Sequence, residues 1–311
     1  MSTKLINQSK KPTFFPSISN DETTWFWKHG IKADGMLISY DVLLKNKIFK
    51  GSKKSIKQLL GFKGLVTIDS GAFGSSQEHD PVVVYEKQKQ LKADIGILLD
   101  QIAAAGSTKK QQKESIDVTL KNAATISKLN KNKIQLMGVI QGADKASIEY
   151  CAKELRKLKY NVIGVPLSNF SKHRKYKEAA EKFLLIKKQF PATAIFHGLG
   201  CGSRTLIAIL THLGVRFFDS SAFYKAATFN EAVDPESFCS INKPNSKKEC
   251  AQCLFKQAKP STFQEIVNYN LREVLKEVQR CRCAVEAKQT KKYLSEQRLS
   301  KGILKKIEHL L

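Results

Sequence analysis

Short apolar runs alternate with longer amphipathic stretches along most of the chain. Many of the runs are rich in β-branched residues, as buried strands are. They span residues 36–44, 65–69, 95–100, 134–141, 162–167, 194–200 and 215–219. Apolar residues at three- and four-residue steps predict helices between them, over 83–91, 111–129, 145–158, 175–190 and 204–213. Strands that alternate with helices in this way form a parallel sheet.

Polar residues or glycines follow nearly every predicted strand. They are Asp69, Asp100, Gln141, Ser168, the 198–200 turn and Asp219. A closed barrel gathers all of these positions around one mouth, whereas an open sheet scatters them. Six or more strand–helix units in one run also favour closure. The sequence therefore predicts an α/β fold, a (β/α)8 TIM-like barrel.

The pattern changes at residue 236, where a loop with cysteines, prolines and lysines begins. Two helices are predicted after it, over 262–287 and 291–311. The last one has a basic face, which is typical of a solvated packed helix or of a nucleic-acid contact. We predict a barrel catalytic domain at 1–235 and, at 236–311, a helical subdomain that completes the barrel.

The composition points to a polyanionic partner. Lys and Arg number 53 against 28 Asp and Glu, which gives a net charge of +25. Such an excess favours nucleic acid, although a crowded solvated surface is the alternative because the charge is spread over the chain. No apolar run approaches the roughly 18 residues of a membrane span, and residues 1–19 lack the apolar core of a secretory signal. With seven cysteines and no such signal, we expect a reduced, cytoplasmic protein without membrane contact.

Two apolar runs end in an aspartate followed at once by small residues. These are Asp69, before Ser70 and Gly71, and Asp219, before two serines. A single aspartate in this place is commonly a helix N-cap. Two of them at one barrel mouth indicate a pair of carboxylates for nucleophilic and acid–base chemistry.

Six strand-end segments resemble, in order, those of the tRNA-guanine transglycosylase superfamily. They are 69–73 (DSGAF), 94–100, 138–142 (GVIQG), 163–168 (IGVPLS), 197–200 (HGLG) and 218–222 (FDSSA). The resemblance covers about residues 64–286, and Ala72 and the stretch after Asp219 are closer to the archaeal branch. It implies a barrel with a zinc-binding insert that exchanges a guanine in a nucleic acid for a 7-deazaguanine base, through a covalent glycosyl-enzyme intermediate.

By this resemblance Asp219 is the nucleophile that attacks C1′ of the ribosyl unit, and Asp69 is the general acid/base. The two roles could be exchanged, because a sequence gives no pKa values. The residues expected to bind the substrate are Ser70, Gly71, Phe73, Asp100, Gln141, Gly142, Leu167, His197 and Gly198. Asp100 would accept hydrogen bonds from the Watson–Crick edge of guanine, or else cap a loop. Phe73 would stack on a base flipped out of its stack, and His197 would line the pocket.

The cysteines suggest a structural zinc site. Cys250 and Cys253 have the spacing that lets two thiolates reach one tetrahedral ion, and Cys239 can supply a third ligand. The family's fourth ligand is a histidine in a His-Asn-Leu segment, where this chain has Tyr269 before Asn270. The fourth ligand is therefore open, and buried free thiols are the alternative.

The superfamily includes tRNA-acting members and a divergent group that installs 7-deazaguanines in DNA. Gly74, the Val165–Pro166 pair and the lack of a further domain after the helical tail favour DNA as the substrate. The alternatives are a tRNA-acting enzyme, a non-catalytic paralogue that binds nucleic acid or a partner protein, and a barrel enzyme for a small phosphorylated substrate with 198–203 as its phosphate loop. The sequence leaves open whether the protein forms a homodimer or requires a partner protein.

Overall fold

Eight parallel strands close into a barrel, β1 pairing with β8. The computed structural model describes residues 11–72, 79–103, 106–131, 133–233, 251–296, 305 and 307–310. The strands are β1 (Thr13–Ile18), β2 (Gly35–Ser39), β3 (Leu65–Asp69), β4 (Ile95–Ile97), β5 (Gln135–Val139), β6 (Val162–Pro166), β7 (Ile195–Leu199) and β8 (Phe217–Ser220). The predicted (β/α)8 barrel is thus confirmed.

Helices cover the outside of the barrel. Those following β2 to β5 are α1 (Tyr40–Lys45), α2 (Ile56–Leu60), α3 (Pro81–Gln90), α4 (Lys109–Asn130) and α5 (Lys145–Lys157). Those following β6 to β8 are α6 (Ser168–Lys172), α7 (Tyr176–Lys187), α8 (Arg204–Leu213), α9 (Ala222–Thr228), α10 (Ala251–Ala258), α11 (Phe263–Glu286) and α12 (Thr290–Glu296). Short 3₁₀ turns occupy Glu22–Thr24, Phe26–His29, Lys47–Phe49 and Glu308–Leu310.

The hydrophobic pattern did not predict β1. Its sequence, TFFPSI, contains Pro16, and proline inside a run argues against a central strand because it cannot donate to the ladder. In the barrel Phe15 lies opposite Asp219, and Ser17 lies opposite Leu37. This strand closes the barrel between β8 and β2.

The predicted strand over 36–44 is two elements. β2 ends at Ser39 and α1 begins at Tyr40, so the change from a two-residue to a 3.6-residue period lies inside one apolar run. Ile38, Tyr40 and Leu43 are all buried in the same core outside the barrel. Because residues on both sides of the boundary between β2 and α1 are buried in this core, the hydrophobic pattern does not reveal the boundary.

The interior of the barrel is a packed core. Its inward side chains include Phe15, Leu37, Ile95, Ile97, Met137, Val139, Val162, Ile195 and Phe217. Alternate positions of each strand face this core, while the positions between them face the surrounding helices. The same alternation carries the inward positions up to the carboxyl ends of the strands, where the polar residues begin.

Helix α11 belongs to the barrel wall, since it packs against α8, α9 and β1. Thr262 and Glu265 cap its first turn reciprocally. Near its other end Arg282 donates to the carbonyl oxygen of Pro12, at 2.6 Å, and pairs with Asp34, at 2.5 Å. The predicted carboxyl-terminal helical segment is confirmed, whereas the domain boundary at 235/236 stays a prediction. Within the described part of the chain, every helix is too short or too polar to cross a membrane.

Candidate active site

The strand ends place three carboxylates at one mouth. Asp69 is the last residue of β3 and Asp219 lies in β8, while Asp100 follows β4. Asp100 and Asp219 are close enough to Asp69 for both to affect its pKa. Parallel strands bring these acids together although Asp69 and Asp219 are 150 positions apart in the sequence.

Asp219 is held by two N–H donors. Its Oδ1 accepts a hydrogen bond from His197 Nε2 at 2.9 Å and another from the backbone N–H of Gly200 at 3.2 Å. Asp219 is 7% exposed and His197 is fully buried. Because an ionised carboxylate only accepts, His197 donates from Nε2. Both bonds engage Oδ1, so Oδ2 is the oxygen left for chemistry.

His197 also packs into the apolar interior of the barrel. Its ring lies 5.4 Å from the ring of Phe15 and 6.1 Å from that of Phe217. Its Nδ1 is buried and has no hydrogen-bond partner among the described residues. A neutral imidazole with its hydrogen on Nε2 fits both observations, since a hydrogen on Nδ1 would have no acceptor. The sequence assigned His197 to the pocket lining, and the structure places it under the carboxylate of Asp219.

Asp69 has a different environment. Burial is the largest influence and raises its pKa from the usual 3.8 to about 7, and the negative charges of Asp100 and Asp219 act in the same direction. The backbone N–H groups of Ser70 and Gly71 donate to its carboxylate and oppose this rise. A carboxyl with this pKa exchanges protons readily near neutral pH, as a general acid/base must.

Asp100 and Gln141 form a second unit. Gln141 Nε2 donates to Asp100 Oδ2 at 2.5 Å. Burial raises the pKa of Asp100 to about 6, against the effect of this hydrogen bond. The backbone N–H of Gln141 donates to Cys151 Sγ at 3.4 Å, so Gln141 is bound through both its backbone and its side chain. Asp100 and Gln141 therefore offer a fixed set of hydrogen-bonding groups to a base.

Gln88 of α3 maintains the spacing between β3 and β4. Its buried side-chain amide donates to the carbonyl oxygens of Ile68, at 3.1 Å, and Ile97, at 2.9 Å. The ladder between these strands ends at Ile68 and Gly96, just before Asp69. The amide thus bridges the place where the two strands begin to separate. It fixes the backbone on which Asp69 and Asp100 are carried.

Other predicted pocket residues also lie at this mouth. Leu167 and Gly198 are neighbours, since a β-carbon built on Gly198 would lie 3.1 Å from Leu167 Cδ1. Ser70 is fully buried, and its hydroxyl has no hydrogen-bond partner in the described part of the chain. Gly142 has a φ of 132°, and a β-carbon there would lie 2.8 Å from the backbone nitrogen of Ile148. Phe73 lies outside the described residues.

An aspartate–histidine pair that no sequence pattern predicted lies beside the turn after Asp69. Asp41 Oδ1 and His79 Nε2 are 3.0 Å apart, and the His79 ring packs edge-on against Tyr40. Asp41 lies in the first turn of α1, and His79 lies just before Asp80, the N-cap of α3. The two residues are 38 positions apart, and no sequence motif connects them.

The predicted zinc ligands fall largely outside the described residues. This applies to Cys239, Cys250 and the side chain of Cys253, whose backbone lies in α10. Tyr269 stands where the family has a histidine ligand, and its ring packs against Phe255 of α10 at 5.4 Å. Burial raises the pKa of this phenol, which favours its protonated form. Structural zinc is held by thiolates, imidazoles and carboxylates, so the phenol of Tyr269 does not fit as the fourth ligand.

The described histidines, cysteines and acids do not replace it. No three of them come together as a metal site in this part of the structure. Cys281 of α11 is buried, and burial raises the pKa of its thiol. Cys283 is exposed on the same helix.

A comparison with known protein families identifies the family to which this barrel belongs. The profile described as Queuine tRNA-ribosyltransferase matches residues 39–307. The chain belongs to this family. The match starts at the end of β2 and includes every described residue of the candidate site.

Relatives of the queuine tRNA-ribosyltransferase family share parts of this chain. A tRNA-guanine(15) transglycosylase of Methanocaldococcus jannaschii is 27% identical over 203 residues, which are 61% of this chain and 31% of the relative. One of Methanococcus aeolicus is 32% identical over 55% of this chain and 28% of the relative. One of Methanococcus maripaludis is 26% identical over 75% and 39%. These relatives confirm the resemblance to the archaeal branch, and the chain matches well under half of their length.

Proposed function

We propose that this protein is a tRNA-guanine transglycosylase, which exchanges a guanine in tRNA for a 7-deazaguanine base through a covalent glycosyl-enzyme intermediate. The observation that carries the proposal is the contrast at one mouth between Asp219, held by two N–H donors, and Asp69, with its pKa raised to about 7. The names of the relatives support tRNA. They give no support to the DNA preference that the sequence motifs suggested.

In the first half-reaction Asp219 Oδ2 attacks C1′ of the ribosyl unit as the bond from C1′ to guanine N9 breaks. The bonding electrons leave with the base. Protonated Asp69 delivers a proton to the departing guanine and becomes ionised. The Nε2–H of His197 and the N–H of Gly200 keep the other oxygen of Asp219 in place.

In the second half-reaction the incoming 7-deazaguanine gives its N9 proton to ionised Asp69. N9 then attacks C1′, and the bond between C1′ and Asp219 breaks with its electrons returning to the carboxylate. Asp69 ends protonated, as it began, so the cycle needs no cofactor to balance it. A pKa of about 7 allows both forms of Asp69 to be populated at neutral pH.

Asp100 and Gln141 recognise the base in this proposal. An ionised carboxylate can accept from the N1–H and the exocyclic N2–H of guanine or of a 7-deazaguanine. The hydrogen bond from Gln141 to Asp100 orients that carboxylate. Adenine presents no donor at N1, so Asp100 would discriminate against it.

The basic charge serves the polynucleotide. A net charge of +25 attracts phosphates over long distances. Lys172, Arg174 and Lys175 lie exposed after β6, at the same end of the barrel as the carboxylates. Contacts of this type hold the polymer while the pocket residues select the base.

The deciding experiment incubates the protein with radiolabelled guanine and, separately, with tRNA and with duplex DNA. Label in tRNA alone is the expected result. Label in DNA alone would replace tRNA with DNA as the substrate. Label in neither polymer, with the wild-type protein folded, would contradict the proposed activity.

We propose a structural zinc ion held by Cys239, Cys250 and Cys253, with its fourth ligand unassigned. Thiolates with this spacing suit zinc.

Elemental analysis should find about one zinc per chain, in line with single structural sites. Replacing Cys250 and Cys253 with serine should remove it, whereas Cys283→Ser should not. Wild-type protein without zinc, purified without chelator, would contradict this assignment. The reduced thiols it requires fit a cytoplasmic location.

A further inference from the structure

The pair formed by Asp41 and His79 lies directly on the turn that follows Asp69. Gly71 in this turn has a φ of 79°. A β-carbon built on Gly71 would lie 3.2 Å from His79 Nε2 and 3.3 Å from Asp41 Oδ1. The turn is therefore in contact with the hydrogen-bonded atoms of the pair, and only the hydrogen of a glycine fits comfortably between them.

This turn is also what opposes the rise in the pKa of Asp69. The backbone N–H groups of Ser70 and Gly71 donate to the Asp69 carboxylate. Hydrogen bonds of this kind favour the charged form of an acid. Their strength depends on the orientation of two peptide groups in a short turn. Any element that holds the turn in place therefore also influences the pKa of Asp69.

The pair is built to be rigid. Asp41 begins α1 immediately after β2, whose last residue, Ser39, lies opposite Asp69 in the sheet. His79 is anchored near the start of α3, and its side chain is 8% exposed. The Tyr40 ring lies 5.0 Å from the His79 ring at an interplanar angle of 77°. The pair thus connects the starts of two helices across the end of β3.

We propose that Asp41 and His79 are positioning residues for Asp69, which act by holding the Ser70–Gly71 turn against its carboxylate. The role of Asp69 as general acid/base rests on the proposed function, whereas the effect on its ionisation does not. Among the described residues, the charged groups that face Asp69 are Asp100 and Asp219, with the Asp41–His79 pair behind the turn. In the variants below, Asp100 and Asp219 are unchanged.

Replacing Asp41 distinguishes two effects on the pKa of Asp69: the electrostatic effect of the Asp41 charge, and the effect of Asp41 on the position of the turn. Asp41→Ala removes a negative charge, and a direct electrostatic effect would lower the pKa of Asp69. Loss of the turn's N–H donors would raise it instead. We expect the titration midpoint of Asp69 to rise by at least about half a pH unit, because hydrogen bonds to the charged form are weakened. Asp41→Asn keeps an acceptor for His79 and should not raise the midpoint.

The measurement is the ¹³C NMR titration of aspartate side-chain carboxyls, with the Asp69 signal assigned by its absence in Asp69→Asn. His79→Leu is a second variant and should also raise the midpoint, while His79→Gln, which keeps an N–H donor, should restore most of it. His212→Leu is the matched control, because His212 pairs with Thr290 at the far end of α8 and should leave the midpoint unchanged.

A midpoint that is unchanged or lowered in Asp41→Ala, with His79→Leu also unshifted, would overturn the positioning role. Base exchange is then measured in the same variants against pH. If the positioning role is overturned but the wild-type protein still exchanges the base, the proposed function remains intact. If the wild type exchanges no base but the midpoint of Asp69 rises in Asp41→Ala, the proposed function fails and the positioning role stands.

Discussion

The β7–β8 side and the β3–β4 side of the mouth hold their carboxylates in different ways. Asp219 receives two N–H donors on a single oxygen. Asp69 and Asp100 lie close together and are half-buried, and the removal of solvent raises the pKa of both, to about 7 and about 6. One side is organised to keep a carboxylate in a fixed orientation, and the other to make proton uptake easy. The proposed function assigns covalent attack to the first environment and proton transfer to the second. Strands β1 and β2 lie between β8, which carries Asp219, and β3, which carries Asp69.

Asp219→Asn should have the largest effect. An amide in this place cannot attack C1′, so we expect base exchange to fall at least about 10³-fold. The covalent adduct with labelled tRNA, trapped on a denaturing gel, should disappear. Asp117→Asn, on α4 and bonded to Tyr150, is the matched control. An adduct that survives in Asp219→Asn would assign the nucleophile to another residue.

Asp69→Asn should slow base exchange by about 10²–10⁴-fold, because the proton donor is lost. The same change should stabilise the protein at high pH. Since the folded-state pKa is about 7 and the ordinary value is 3.8, ionisation costs stability as pH rises between these values. The gain should be near zero at pH 3.5 and on the order of 2 kcal/mol at pH 8, allowing for the solvent that reaches this partly exposed carboxyl.

Urea unfolding at several pH values measures this gain in stability. A gain that does not change between pH 3.5 and pH 8 would show that the pKa of Asp69 is not raised in the folded protein. Asp117→Asn again serves as the control, since this exposed aspartate should give no gain at either pH.

His197→Leu removes one of the two donors to Asp219. Hydrogen bonds to charged groups contribute about 1.5–3 kcal/mol, so exchange should fall by roughly 10- to 100-fold. His197→Gln, which keeps a donor, should recover part of the rate. The loss should appear in kcat for adduct formation rather than in KM for the incoming base. An effect confined to KM would indicate that His197 lines the pocket for the base and does not position Asp219.

Gln141→Leu should have the smallest effect of the four. It removes the hydrogen bond that orients Asp100, so KM for the incoming base should rise by about 5- to 10-fold. Loss of that bond should also raise the pKa of Asp100, since the bond favours the charged form. The pH dependence of KM measures both changes. A changed kcat with an unchanged KM would place Gln141 in the proton-transfer side of the mouth.

The acids of the site could be predicted because each lies at, or shortly after, the carboxyl end of a buried strand. Leu65–Asp69 was predicted to the residue, since an apolar run ended by a charge has one interpretation. The donors to Asp219 could not be assigned in the same way. One is a backbone N–H, and the other depends on the register that brings β7 next to β8. Side-chain identity alone does not contain this information.

Other features were missed because distant segments create them. Asp41 and His79 are 38 residues apart and meet only when the fold brings the start of α1 and the residue before α3 together next to Gly71. Strand β1 was not predicted because Pro16 argues against a central strand. Its place in the barrel is fixed by pairing with β8, about 200 residues away. Local patterns cannot report contacts that only the closed barrel makes.

Closure of the barrel through β1 and β8 bears on when activity can appear. Phe15 lies opposite Asp219, so β1 is paired on both sides only after β8, about 200 residues later in the chain, has been synthesised. A nascent chain without β8 has neither a closed barrel nor Asp219, the proposed nucleophile. In the proposed function, glycosyl transfer therefore begins only after β8 has been synthesised and has paired with β1.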